Sequence, residues 1–122
     1  MSANAKEPII EVDPRNVRFT HSKIRPQFSG CGKLLEETLA EIVSGKLRPE
    51  DLPMITVHLL EDGQTYCSLN NRRLWIFKQC REMPDLKFVS IKVRLKPLLS
   101  SKRNQDKYSL VRCSNSATFL RH

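Results

Sequence analysis

Tyr66-Cys67-Ser68-Leu69-Asn70-Asn71-Arg72-Arg73-Leu74-Trp75 is the stretch on which the fold reading turns. Its first half is apolar and short, as a strand is. From Leu74 the apolar residues recur at helical spacing, Leu74, Phe77 and Cys80, so a strand passes directly into a helix. Asn70 or Asn71 stands where a helix cap belongs, and Met83-Pro84-Asp85 ends the helix after Glu82. Arg73, Lys78, Arg81 and Glu82 fall mostly on its polar face. Upstream, Glu61-Asp62-Gly63-Gln64 carries the Asp-Gly pair of a tight hairpin. Its partner strand is Met54 to Leu60, with Ile55, Val57 and Leu59 on one face and Thr56 and His58 on the other.

Reading outward, Phe88 to Leu95 alternates Val89, Ile91, Val93 and Leu95 with Ser90, Lys92 and Arg94, a clear strand. Toward the N-terminus, Pro8 to Val12 reads as a short strand, Asp13-Pro14-Arg15-Asn16 as a turn, and Val17 to Thr20 as a half-buried strand. Arg25 to Gly32 is a loop with two glycines. From Lys33 the pattern is helical through Leu35, Thr38, Leu39 and Ile42, with Gly45 as its stop. The order strand, loop, helix, hairpin, helix, strand defines a small α+β domain over residues 8–96, with two main helices. Residues 1–7 are expected to be a disordered lead-in. Residues 97–122 are expected to be a basic tail, partly disordered or docking: Ser100 to Lys107 has linker composition, while Tyr108 to Val111 and Ala117 to Leu120 could dock.

A length of 122 residues, 39% of them apolar, supplies one modest core and excludes a second. No apolar run is long enough to span a membrane, and the opening Met1-Ser2-Ala3-Asn4 has no apolar signal region. The expectation is a soluble intracellular protein, cytoplasmic or nuclear, with no membrane partner. The net charge of +8 favours anionic partners, and residues 96–122 hold six basic side chains against one acidic. Cys31, Cys67, Cys80 and Cys113 show no metal-knuckle or redox spacing, so neither a disulfide framework nor a metal site is expected.

The chemistry points to the helix start. A helix N-terminus presents unpaired amides and partial positive charge, which disfavours arginine there. Arg72 and Arg73 in that first turn therefore imply a counter-anion, and guanidinium forks suit phosphate. Asn70, Asn71, Arg72 and Arg73 form the expected phosphate site, assisted by Lys33 and Arg18. Phe28-Ser29-Gly30-Cys31-Gly32-Lys33 is a second glycine-rich approach to a helix. It is no P-loop, because Gln27 replaces the first glycine and Leu34 follows the lysine. Arg18, His21, Lys23 and Arg25 form a basic cluster that is either a solvated face or a ligand-facing edge.

Together these segments resemble the ParB/sulfiredoxin-like superfamily over roughly residues 8–96, which implies a mixed sheet. ParB proteins carry G-E-R-R followed by an aromatic at this helix start. Asn70-Asn71-Arg72-Arg73 occupies it here, with Trp75 near the aromatic position. The sulfiredoxin motif G-G-C-H-R, aligned through Ser68, places its reactive cysteine at Arg72, so the resemblance does not carry sulfinic acid reduction with it. The motif binds CTP in ParB, ATP in sulfiredoxin and a nucleotide in archaeal free-serine kinases. The resemblance thus implies a nucleotide or nucleic acid as partner; no cofactor is assigned, and magnesium with a nucleotide would go with an enzyme reading. No ParB-type helix-turn-helix is expected after residue 96, since too little chain follows. Two other readings stand: a nucleotide-dependent phosphotransferase or hydrolase of the same fold, with Glu36 and Glu37 the nearest carboxylates, and a non-enzymatic protein-interaction module using the basic tail.

Overall fold

A computed structural model describes residues 7–98 and 102–120. Most of the expected lead-in, residues 1–6, lies outside the described residues. The strands are β1 (Ile9–Val12), β2 (Val17–Phe19), β3 (Lys23–Ile24), β4 (Thr56–Leu59), β5 (Tyr66–Ser68), β6 (Ile91–Leu95) and β7 (Thr118–Phe119). The helices are α1 (Leu35–Val43), α2 (Asn71–Arg81) and α3 (Lys102–Lys107). Five strands form a mixed sheet in the order β1-β6-β4-β5-β2, and β3 pairs with β7 in a separate parallel ribbon. This is the small α+β domain expected from the sequence.

The β4–β5 hairpin forms because Asp62 accepts bonds from the amides of Gln64 (3.0 Å) and Thr65 (2.8 Å) while Gly63 takes φ +70°. Gly45, at φ +86°, ends α1 with its amide on the Ile42 carbonyl (3.1 Å). Leu35 and Ile42 of α1 and Leu74, Ile76, Phe77 and Cys80 of α2 pack with Val17, Phe19, Ile55, Val57 and Val93 into the main core.

This packing corrects the linker reading of residues 102–107 and completes two other readings. The Thr56–His58 face of β4 is not a solvent face: His58 is only 5% exposed. Tyr108 covers it with ring centroids 4.7 Å apart, and the His58 Nδ1 is 2.9 Å from the Lys96 carbonyl oxygen. Leu59, by contrast, is exposed near the strand end. Residues 102–107, linker-like in composition, form α3, and the Tyr108 amide bonds the Asn104 carbonyl (2.9 Å) as the chain turns onto the sheet. The polar face of α2 is also largely engaged. Lys78 donates to the Pro14 carbonyl (2.8 Å), and burial pulls its pKa down to about 8.

Arg81 clasps Asp13 with two bonds of 3.0 and 3.1 Å, fixing α2 to the turn after β1. Asp13 also accepts from the Arg15 amide (2.9 Å), capping the short 3-10 turn Pro14–Asn16. Burial pushes the Asp13 carboxyl upward, but Arg81 and the Arg15 amide outweigh it and hold the group below its usual 3.8. Its stabilisation is therefore fully present above about pH 3.8 and lost as pH falls through the lower native value. Replacing Asp13 by Ala is expected to cost about 2 kcal/mol at neutral pH, from one cap and a charge-assisted pair. Chemical denaturation at neutral and strongly acidic pH checks this. The gap between parent and variant should narrow in acid.

Candidate phosphate site at the start of the second helix

β5 enters α2 through a fixed corner, with the Asn70 amide on the Ser68 hydroxyl (2.8 Å). Asn70 is the N-cap residue, yet its side chain makes no cap bond. Its Oδ1 instead accepts from the Thr56 amide (2.8 Å), tying the helix start to β4. Asn71 is the first helical residue, not a cap. Its Oδ1 accepts from the Thr20 amide (3.1 Å) and its Nδ2 donates to the Thr20 hydroxyl (2.8 Å). Asn70 thus stands at the expected cap position, but the side-chain cap is absent: both asparagines are spent holding the first turn against β4 and the end of β2. Among the described residues no side chain is bonded to the first-turn amides, and the helix start keeps its donors and its partial positive charge.

A cavity of about 410 Å³ opens over this corner. Its lining includes Asn70, Asn71, Arg72 and Arg73 from the motif, and His21, Lys23, Arg25 and Ser29 from the β3 region and the following loop. Phe28 and Leu120 add apolar wall. Among the described residues four of the lining side chains, Lys23, Arg25, Arg72 and Arg73, are cationic, and none is a carboxylate. Arg72 donates to the Gln27 carbonyl (3.1 Å) and Arg73 to the Met54 carbonyl (3.0 Å). Among the described residues neither guanidinium forms an ion pair. Burial alone pushes Arg73 below its usual pKa, as expected for a half-buried cation without a counter-charge.

Lys33 and Arg18 are not brought to this cavity. Lys33 precedes α1 and pairs with Glu41 of that helix (2.7 Å). Arg18 donates to the Leu110 carbonyl (3.1 Å), toward the C-terminal segment. The basic cluster is thus split: His21, Lys23 and Arg25 face the cavity edge and Arg18 does not. Glu37 accepts from the Leu34 amide (3.0 Å) and so caps α1, and neither it nor Glu36 lines the cavity.

Sequence reasoning missed the contribution of the C-terminal segment. Besides Leu120, Lys107 and Arg112 line an adjoining cavity of about 440 Å³ with Thr20, His21, Ser22 and Lys23. His21 and Lys23 belong to both cavities. The signal was the positive charge of residues 96–122, but nothing in the sequence placed it beside β3.

Among the described residues, no group of three or more His, Cys, Asp or Glu side chains could hold a metal ion, and no helix is long and apolar enough to cross a membrane. No family model matches the chain, and no curated protein matches it at a significant level.

Replacing Asn71 by Ala removes both bonds to Thr20 and is expected to cost about 1–3 kcal/mol, the penalty for stranding the part-buried Thr20 amide and hydroxyl. Asn71→Asp keeps the acceptor for the Thr20 amide but adds a negative charge to the cavity. Its melting temperature should lie above that of Asn71→Ala, while its anion affinity should lie below the parent's. Thermal melts and phosphate titrations on both variants check the pair of outcomes.

Proposed function

We propose that this chain is a phosphate-recognising module that binds a nucleotide or nucleic acid at the Asn70-Asn71-Arg72-Arg73 helix start. One observation carries the reading: among the described residues four cationic side chains line one concavity with no carboxylate among them. Unbalanced charge of one sign in a concave site focuses the field and draws anions in. The uncapped first turn of α2 adds amide donors. Arg72 is held by a backbone carbonyl rather than a carboxylate, so an incoming phosphate replaces a weak partner by a strong one. The volume is in the range of small-ligand sites. The adjoining cavity, with Lys107 and Arg112, extends the cationic surface for further phosphates. The resemblance to the ParB/sulfiredoxin-like motif agrees in place and in ligand class.

Magnesium would enter as the companion of a nucleotide's own phosphates, since the cavity lining offers no carboxylate to hold it. Such a ligand goes with an intracellular setting, cytoplasmic or nuclear. The phosphotransferase or hydrolase reading needs a general base, and His21, on the wall of both cavities, is the lining group suited to that task.

A thermal-shift screen tests the proposal against nucleotides, single-stranded and duplex nucleic acids, and each with and without magnesium. Stabilisation by phosphate-bearing ligands, weakening as salt rises, is expected. Silence across the whole panel contradicts the reading.

A further inference from the structure

The sheet face opposite α1 and α2 brings two thiols together. Cys67 of β5 and Cys113 of the C-terminal segment are both free, 0% and 5% exposed, and share one small buried cluster with Leu60. Tyr108 and Leu110 flank it. Cys113 packs in this cluster beside Cys67, and its Sγ donates to the Lys107 carbonyl at 4.0 Å. The segment is moored around this contact. The Phe19 and Ser114 backbones exchange bonds of 2.7 and 2.8 Å, and Glu61 accepts from the Leu110 amide at 3.1 Å.

We propose that Cys67 and Cys113 are a redox pair, which a hydroperoxide joins into a disulfide tying the C-terminal segment to the sheet. The two sulfurs are chemically unequal. The interaction with the Cys67 thiol lowers the Cys113 pKa from its usual value, helped by the Ser109 amide and Arg18 and opposed by burial and Glu61. Cys67, its thiol engaged and buried, is pushed up and keeps its proton. Cys113 is thus the sulfur that gives up its proton more readily, and a thiolate facing a thiol is the arrangement from which disulfides form.

The Cys113 thiolate attacks one peroxide oxygen. An S–O bond forms, the O–O bond breaks, and the departing oxygen leaves as water once protonated. Cys113 is then a sulfenic acid. The Cys67 sulfur attacks that sulfur, the S–S bond forms, the S–O bond breaks, and the Cys67 proton leaves with the hydroxide as a second water. Two thiols are oxidised and one hydrogen peroxide is reduced to two waters. Hydrogen peroxide is small, and local opening of the covering segment suffices to admit it.

The experiment uses the full chain carrying Cys31→Ser, which removes the exposed thiol. The folded protein is treated with hydrogen peroxide near neutral pH, alkylated, digested without reductant and mapped by mass spectrometry. The expected product is one peptide pair linked through Cys67 and Cys113, lighter by two hydrogens and released by dithiothreitol, with Cys80 still a thiol. The oxidised protein should melt several degrees higher than the reduced one. Adding Cys113→Ser should abolish both the linked pair and the peroxide-dependent rise. Diamide, an oxidant that needs no sulfenic intermediate, serves as a second arm. Absence of the linked pair with both oxidants overturns the proposal, as does a dominant link through Cys80 or between chains.

Discussion

Replacing Arg72 by Ala is expected to weaken nucleotide binding about ten- to a hundredfold while leaving the melting temperature nearly unchanged. The affinity loss follows from removing one charge-assisted contact, worth about 1.5–3 kcal/mol. The small effect on stability follows from what Arg72 does in the unliganded protein: it makes one exposed bond, to the Gln27 carbonyl at 3.1 Å. An arginine in this first turn could instead pair with Glu36, Glu37 or Asp85 and hold the helices together. In the structure both guanidiniums rest on backbone carbonyls instead. Arg73 separates the two roles. It is half-buried on the Met54 carbonyl, so Arg73→Ala should lower both affinity and stability. Arg72→Lys should recover part of the affinity, because the charge returns without the bidentate fork. Calorimetric titration and thermal melts on the three variants distinguish these outcomes. Parent-like binding by both alanine variants would falsify the phosphate-site reading.

Leu74→Ala should have the largest effect on stability, about 3–4 kcal/mol by chemical denaturation. Leu74 is fully buried at the start of α2 and belongs to the main core. Truncating it removes transfer energy and leaves a cavity that the surrounding core fills only partly. A loss of that size is a substantial share of the stability of a small domain. Because Leu74 immediately follows Arg73, binding should suffer with it as the helix start loosens. Ile76→Val, at an equally buried position, removes one methyl group and should cost only about 1 kcal/mol. If Leu74→Ala proves as mild as Ile76→Val, α2 does not depend on this packing.

The parts of the fold that could be read from the sequence were those set by local chemistry. The Asp62-Gly63 turn fixes its hairpin with bonds that span three residues, and the Leu74, Phe77, Cys80 spacing appears directly as buried surface. The first-turn position of Arg72 and Arg73 was legible for the same reason. What was not legible depends on long-range contacts. Asn70 and Asn71 have the chemistry of caps, and only the approach of Thr56 and Thr20 diverts them. His58 alternates like a solvent-face residue, and only the arrival of Tyr108 buries it. Lys33 looked like a phosphate ligand, but Glu41, within the helix it precedes, claims its charge. Lys107 and Arg112 reach the cationic surface as the Phe19–Ser114 bridge and the β7–β3 pairing hold the C-terminal segment there, contacts with no mark in composition or periodicity.

The most direct test of the central claim is calorimetric titration of the parent and of Arg72→Glu, carried out at low and at moderate salt. The ligands are nucleoside triphosphates, with and without magnesium, and a short single-stranded oligonucleotide. The account predicts saturable binding to the parent that weakens as salt rises, and loss of that binding in Arg72→Glu, which should still melt near the parent temperature. Binding of every ligand undiminished in Arg72→Glu, or no binding by the folded parent at low salt, would contradict it.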